Sequence, residues 1–225
     1  MKISKKVLVI GASGGSGRKT VEALLGEGHK VTALSRSASK VFGKEVRTID
    51  GSALDKNTLR EAMKGQEVVI ITLGISENPF RVRFFGPSKT PMNIRSEGTR
   101  LAIEVMKELN IKRLLVQTTY GSGPSKNNLR LVDKLFFTLL LKPQIKDTEK
   151  QDKYIRESGL DWTISQPVHL NDSKEACGLL HTSNNNQVSQ WQVSRRLVGN
   201  FLAKSISDHS TLRQTIAVSQ KKLFA

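Results

Sequence analysis

With 225 residues, 25% of them charged and 37% hydrophobic, the chain has the make-up of a globular protein with a substantial core, which excludes the disordered and fibrous classes. Its net charge of +16 raises nucleic acid as a partner, yet the 36 lysines and arginines are spread along the chain and only 5% of residues are aromatic, so nucleic acid is disfavoured against a solvated basic surface with some positive charge aimed at a phosphate-bearing ligand. The single cysteine, Cys177, excludes an internal disulfide, no Cys/His cluster has metal spacing, and no apolar run suits a signal peptide or a membrane span, so a cytoplasmic protein is expected.

In chain order, "KKVLVI" (5–10) is an apolar run of the buried parallel-strand type that feeds directly into glycines. A helix follows over 17–25, with Val21, Leu24 and Leu25 on one face and Gly26 and Gly28 at its end. "KVTALS" (30–35) and "EVRTI" (45–49) read as strands, "DKNTLREAMKG" (55–65) as an amphipathic helix capped by Asp55 or Asn57, and "EVVIITLG" (67–74) as a fourth strand. Residues 75–93 carry three prolines and form either a substrate-side loop or a segment with a short helix; Phe80, Phe84 and Phe85 are either an aromatic wall for a flat substrate or the buried anchor of that loop. A helix over 95–109 buries Leu101, Ala102, Val105 and Leu109, and "KRLLVQTT" (112–119) is the fifth strand. An apolar helix over 129–142 is expected to pack on the sheet, followed by a helix over 149–158, a strand at "GLDWTIS" (159–165), a helix over 194–205 and a final strand at "LRQTIAV" (212–218). The alternation predicts an α/β, Rossmann-like doubly wound parallel sheet with helices on both faces, with a core over about residues 5–170 and a small C-terminal lobe over about 171–225, all in one domain.

The first strand-to-helix turn has G-x-x-G-x-x-G spacing. Gly11 suits the tight turn, Gly14 lets backbone N–H groups reach a pyrophosphate, and Gly17 lets the helix pack closely on the sheet; Ser13, Gly15 and Ser16 sit where further donors are available. After the second strand, where an NAD enzyme usually carries an acidic residue for the ribose 2′-hydroxyl, the chain has Ser35-Arg36-Ser37. A guanidinium grips a 2′-phosphate, with Arg18 or Lys40 adding charge, so the expected cofactor is NADP(H).

Taken together, the glycine pattern, "EVVIITLG", "RLLVQTT" and above all "KYIRESGLDWTISQPVHLND" (153–172) resemble the atypical short-chain dehydrogenase/reductases of the NAD(P)-binding, NmrA-like group, nearest to its flavin reductase and biliverdin reductase B branch. That resemblance covers nearly the whole chain. It implies a monomer or weak homodimer that binds NADPH with the nicotinamide facing a broad, shallow substrate site. It also implies Gly11, Ser13, Gly14, Gly15, Ser16 and Gly17 at the phosphates, Arg36 at the 2′-phosphate, Gly51 and Ser52 beside the adenine and Leu73 and Gly74 along the ribose. Thr118 and Thr119 fall near the nicotinamide, with Pro167, Val168 and His169 at the cofactor's far end. The chain departs from the group at Ser52, Gln166 and Thr119, where Asp, Arg and Ser are usual.

Ordinary short-chain dehydrogenases use Tyr-x-x-x-Lys for proton exchange, but the residues four beyond Tyr120 and Tyr154 are Pro124 and Ser158. Thr119, Tyr120 and His169 remain as candidate donors, with Tyr120 equally readable as loop packing and His169 as a structural or solvent-facing residue. Two functions follow: an NADPH-dependent reductase of broad selectivity for flavins, quinones or similar conjugated acceptors, or a non-catalytic NADP(H)-binding redox sensor.

Overall fold

In the computed structural model, residues 3–75, 77, 86, 90–136, 139, 141–173 and 179–221 are described; Cys177, Phe80, Phe84 and Phe85 lie outside them, as does most of 75–93. The first strand, β1 (Lys6–Ile10), is followed by α1 (Gly15–Gly26), β2 (Lys30–Ser35), β3 (Arg47–Asp50), α2 (Lys56–Met63) and β4 (Val68–Ile71). Next come α3 (Ile94–Glu108), β5 (Arg113–Gln117), a 3₁₀ turn (Gly123–Asn128), α4 (Leu131–Phe136), α5 (Lys142–Arg156) and β6 (Asp161–Pro167). Short strands β7 (His169–Asn171), β8 (Leu180–Ser183) and β9 (Gln192–Ser194) precede α6 (Arg195–Ser205) and β10 (Gln214–Gln220).

Eight strands form one sheet in the order β3-β2-β1-β4-β5-β6-β10-β8, parallel except for the edge strand β8. The order reverses between β1 and β4, which opens a crevice beyond their carboxyl ends. Alternation along the strands feeds two cores. Val7 and Val9 of β1 pack with Val21 and Leu24 of α1 and with Val198 and Leu202 of α6, whereas Leu8 and Ile10 pack with Leu59 of α2, Met106 of α3 and Ile155 of α5. These strand residues are 0% exposed, which is why the sequence reads there as an unbroken apolar run rather than an alternating one.

Three expectations are corrected. Leu109 caps α3 and is exposed; the buried face of that helix is Ala102, Ile103, Val105 and Met106. The apolar helix expected over 129–142 is described only as the short α4, whose Leu131 and Val132 are 83% and 76% exposed while Asp133 is buried. The helix that covers the sheet is instead α5, which begins at Lys142 rather than 149 because its buried face is polar (Gln144, Asp147, Thr148, Gln151, Asp152) and leaves no apolar period to read. Strands β8 and β10, within the residues assigned to the small C-terminal lobe, belong to the main sheet, and β7 and β9 form a separate pair.

Helices α1 and α6 meet at Gly199, where a Cβ would lie 2.5 Å from the Lys19 carbonyl oxygen. Gly199→Ala should therefore lower stability by about 1–3 kcal/mol through overpacking. Gly26→Ala, at a site with nothing within 4 Å, should leave it unchanged or slightly raised. Urea midpoints of the two variants check the contrast.

Candidate functional site

The β1–α1 turn is built by close backbone approach. Gly11 has φ +83°, and a Cβ there would sit 3.0 Å from the Thr72 carbonyl at the end of β4. Gly17 leaves no space either, since its Cβ would lie 2.3 Å from the Gly11 oxygen. So Gly17, placed at the phosphates by resemblance, lies under the turn as the packing contact and lines neither cavity described below. Helix α1 starts at Gly15 with no side-chain cap and no acidic residue in its first turn, so its first N–H groups and positive dipole end face the crevice. That is an anion cradle.

Two adjoining cavities occupy the crevice, and both are lined by Gly14, Thr72, Leu73 and Gly74. The smaller, about 240 Å³, is walled by Gly11, Ser13, Arg36, Gly51 and Ser52. Arg36 stands exposed at its rim and donates from Nη2 to Thr90 Oγ1 at 3.2 Å. The larger, about 440 Å³, is walled by Gly15, Ser16, Thr118, Thr119, Tyr120 and His169, with Pro167 and Val168. A path from Arg36 across the glycine turn to Thr118 is thus continuous, and the sequence-predicted residues other than Gly17, Arg18 and Lys40 are brought to it; Arg18 instead donates to the Ser13 carbonyl at 2.9 Å.

The three candidate donors differ in setting. Tyr120 is buried, its hydroxyl donates to the Asn186 carbonyl at 2.7 Å, and burial raises its pKa, the reverse of a phenol tuned to release a proton. Its ring meets Trp191 edge-on, and the Arg130 guanidinium lies 4.4 Å above that same indole. Thr119 Oγ1 accepts from Arg95 Nη1 at 3.2 Å. His169, its side chain 51% exposed, lies with Nε2 2.9 Å from Asp133 Oδ1. Burial pushes the Asp133 carboxyl upward, but bonds from Arg130 and His169 outweigh it and hold the group below the usual carboxylate range.

Sequence reading missed four residues here. Arg95, at the start of α3, lines the larger cavity. So does Arg195, the first residue of α6, which lies against the glycine turn: a Cβ on Gly15 would be 2.8 Å from Arg195 Cδ and 2.9 Å from its Nε, while Nη1 pairs with the exposed Asp172 at 2.8 Å. Asp133 is hidden in an apolar-looking run. Asp152, behind the loop after β5, accepts from Ser122 Oγ at 3.1 Å, and Gln166 donates to that same Ser122 oxygen at 3.0 Å. No local motif marks any of these; only the fold brings them to the cleft.

With this geometry in place, the comparisons decide the family. A sequence model described as NAD(P)H-binding matches residues 11–209. The chain belongs to the NAD(P)H-binding family. A Bacillus subtilis (strain 168) relative, "Uncharacterized protein YwnB", is 26% identical over 170 residues, covering 74% of this chain and 73% of its own. Among solved structures, a short-chain dehydrogenase/reductase from Veillonella parvula DSM 2008 in complex with NADP aligns with a TM-score of 0.76 at 20% identity, covering 99% of this chain and 100% of that one. ChuY, described as an anaerobillin reductase from Escherichia coli O157:H7, aligns with a TM-score of 0.77 at 21% identity over 98% of this chain and 99% of its own. These likenesses establish the Rossmann fold, and the family establishes NAD(P)H as the cofactor. The uncapped α1 terminus, the glycine turn and the two adjoining cavities fit that group. Among the described residues no helix is long and apolar enough to cross a membrane.

Burial lifts the Asp152 pKa to about 6, only partly opposed by the Ser122 hydrogen bond. A folded value above the unfolded one means that the folded protein holds the proton more tightly, so stability is greatest below about pH 4 in this group's contribution and declines as pH rises through 6, by no more than about 3 kcal/mol. Asp152→Asn should flatten that slope. Urea midpoints measured from pH 4 to 8 check it.

Proposed function

We propose that this protein is an NADPH-dependent oxidoreductase of broad selectivity that reduces flavins, quinones or similar conjugated acceptors by direct hydride transfer. The observation that carries the reading is the unequal pair of cavities, one sized and charged for a phosphorylated adenosine, the other wide and partly apolar beside Thr118 and Thr119. Bound NADPH supplies the hydride. Arg36 holds the 2′-phosphate; the N–H groups of Gly15 and Ser16 and the Arg195 guanidinium face the pyrophosphate. Thr118 and Pro167 shape the floor beneath the acceptor, so that catalysis rests on positioning.

No buried phenol is tuned to deliver a proton. The acceptor takes it from water or from the solvent-facing His169, which lies in contact with Asp133. The description of the ChuY neighbour as an anaerobillin reductase accords with a reductase reading. The rival, a redox sensor, draws support from the same engagement of Thr119, Tyr120 and His169 in bonds to the protein itself. Loss of NADPH absorbance with FMN, a quinone or a bilin favours the enzyme. Tight cofactor binding with no consumption across that panel would refute it.

If positioning is the main device, Tyr120→Phe and His169→Ala should each retain activity within about tenfold of wild type. A loss of several orders of magnitude in either would show that a dedicated acid exists. Steady-state rates with a quinone and with FMN are the measurement.

Arg36→Ala should weaken NADPH by roughly 1.5–3 kcal/mol and hardly affect NADH, because only the 2′-phosphate is lost as a partner. Arg195→Ala, by contrast, should weaken both cofactors alike, since both carry the pyrophosphate. Titration of each cofactor at fixed salt separates the two arginines, and a loss common to both cofactors in Arg36→Ala would remove its assignment.

A further inference from the structure

Seven buried side-chain polar atoms among the described residues lack a hydrogen-bond partner, and three of them belong to residues on the wall of the larger cavity: Arg95 Nε, Gln117 Oε1 and Thr118 Oγ1. An interior normally satisfies such groups. That three of them share one wall singles out this side of the cavity.

Arg95 is the charged member. Its backbone N–H donates to Asp147 at 3.1 Å, which fixes the first turn of α3 against α5. The guanidinium, however, forms no ion pair with a carboxylate among the described residues: Nη1 donates to two neutral hydroxyls, Thr119 Oγ1 at 3.2 Å and Thr148 Oγ1 at 3.4 Å. Its Nη2 makes no hydrogen bond to the described protein and lies 3.4 Å from where a Cβ on Gly74 would stand, at the seam of the two cavities. Burial disfavours the charged form of this arginine, and Asp147 and Asp152 support it only through space. A cation held in a wall with neutral partners leaves a desolvated charge that an incoming anion relieves. Thr119 accepts from Arg95 and donates to no described residue, so its own O–H remains available to that same anion.

We propose that Arg95, assisted by Thr119, is the docking point for a carboxylate borne by the acceptor, so that the preferred substrates are anionic conjugated acids rather than neutral quinones. The proposal rests on the reductase reading of this cavity, but anion binding is measurable without turnover, so the two fail separately. Arg36 lines the smaller cavity and Arg195 lies against Gly15 at the glycine turn; Arg95 is the arginine of the larger cavity that stands beside Thr119.

The test titrates anthraquinone-2-carboxylate and, separately, anthraquinone-2-carboxamide into the protein saturated with NADP⁺, following quenching of tryptophan fluorescence. Wild type should bind the carboxylate more tightly than the carboxamide. Arg95→Met should weaken the carboxylate by about 10–100-fold, the scale of a charge-assisted hydrogen bond, and change the carboxamide and NADP⁺ by less than about twofold. Arg95→Lys should restore part of the preference. Equal losses for both quinones, a matching loss of NADP⁺ affinity, or no carboxylate preference in wild type would each overturn the assignment. The last comparison needs no variant, so it decides the matter even if Arg95→Met does not fold.

Discussion

Where the first strand turns into the first helix there is no room for a side chain at Gly11 or Gly17, and the rest of the cleft is arranged around those two close approaches. The Gly11 amide donates to Leu34 at the end of β2, Thr72 donates from its amide to the Ile10 carbonyl, and Gly17 sits 2.3 Å, measured from its would-be Cβ, from the Gly11 oxygen. Three strand ends and one helix are thereby drawn to a single point. The free N–H groups of α1 then open onto the same crevice that Leu73 and Gly74 line from the neighbouring strand. A methyl group at Gly17 would push the helix off the sheet and separate the phosphate cradle from the acceptor side.

The second tight contact extends this logic to the far end of the chain. Because Gly199 carries no Cβ, α6 lies directly on α1, and its first residue, Arg195, comes to rest over Gly15. The C-terminal segment is therefore part of the dinucleotide cleft rather than an appendage. Its Arg195–Asp172 pair is weakly held, since the aspartate is 76% exposed, and exposed pairs contribute little. An arginine so loosely engaged exchanges its partner for a phosphate at small cost.

Much of this was legible in the sequence, and the boundary of legibility has a physical basis. Continuous apolar strands, helix stops at glycine and the glycine turn announced the Rossmann fold, because each depends on local pattern. Arg36 was equally readable, since its place at the end of β2 follows from the strand itself. The polar-faced α5 was not, because a helix that buries Gln144, Asp147, Gln151 and Asp152 has no apolar stripe. Leu131 and Val132 misled in the opposite sense: apolar residues that the fold leaves exposed. Arg95, Arg195 and the Asp133–His169 pair depend on chain crossings far apart in sequence, which no spacing rule encodes.

The polar interior beside the acceptor cavity has one further consequence. Gln166 stands where the resembling group usually has arginine, and here its neutral amide shares Ser122 with Asp152. An arginine at that position would keep the aspartate ionised; with an amide, burial dominates and its pKa rises to about 6. The interior of the loop after β5 is held by hydrogen bonds among Ser122, Ser125 and Gln166. That leaves Arg95 as the cation of the acceptor cavity on this side of the glycine turn, without a carboxylate in contact. With a neutral amide at position 166 and a buried guanidinium at position 95 bonded to neutral hydroxyls, the attraction for an anion on this wall lies at Arg95, where the proposed carboxylate would answer it.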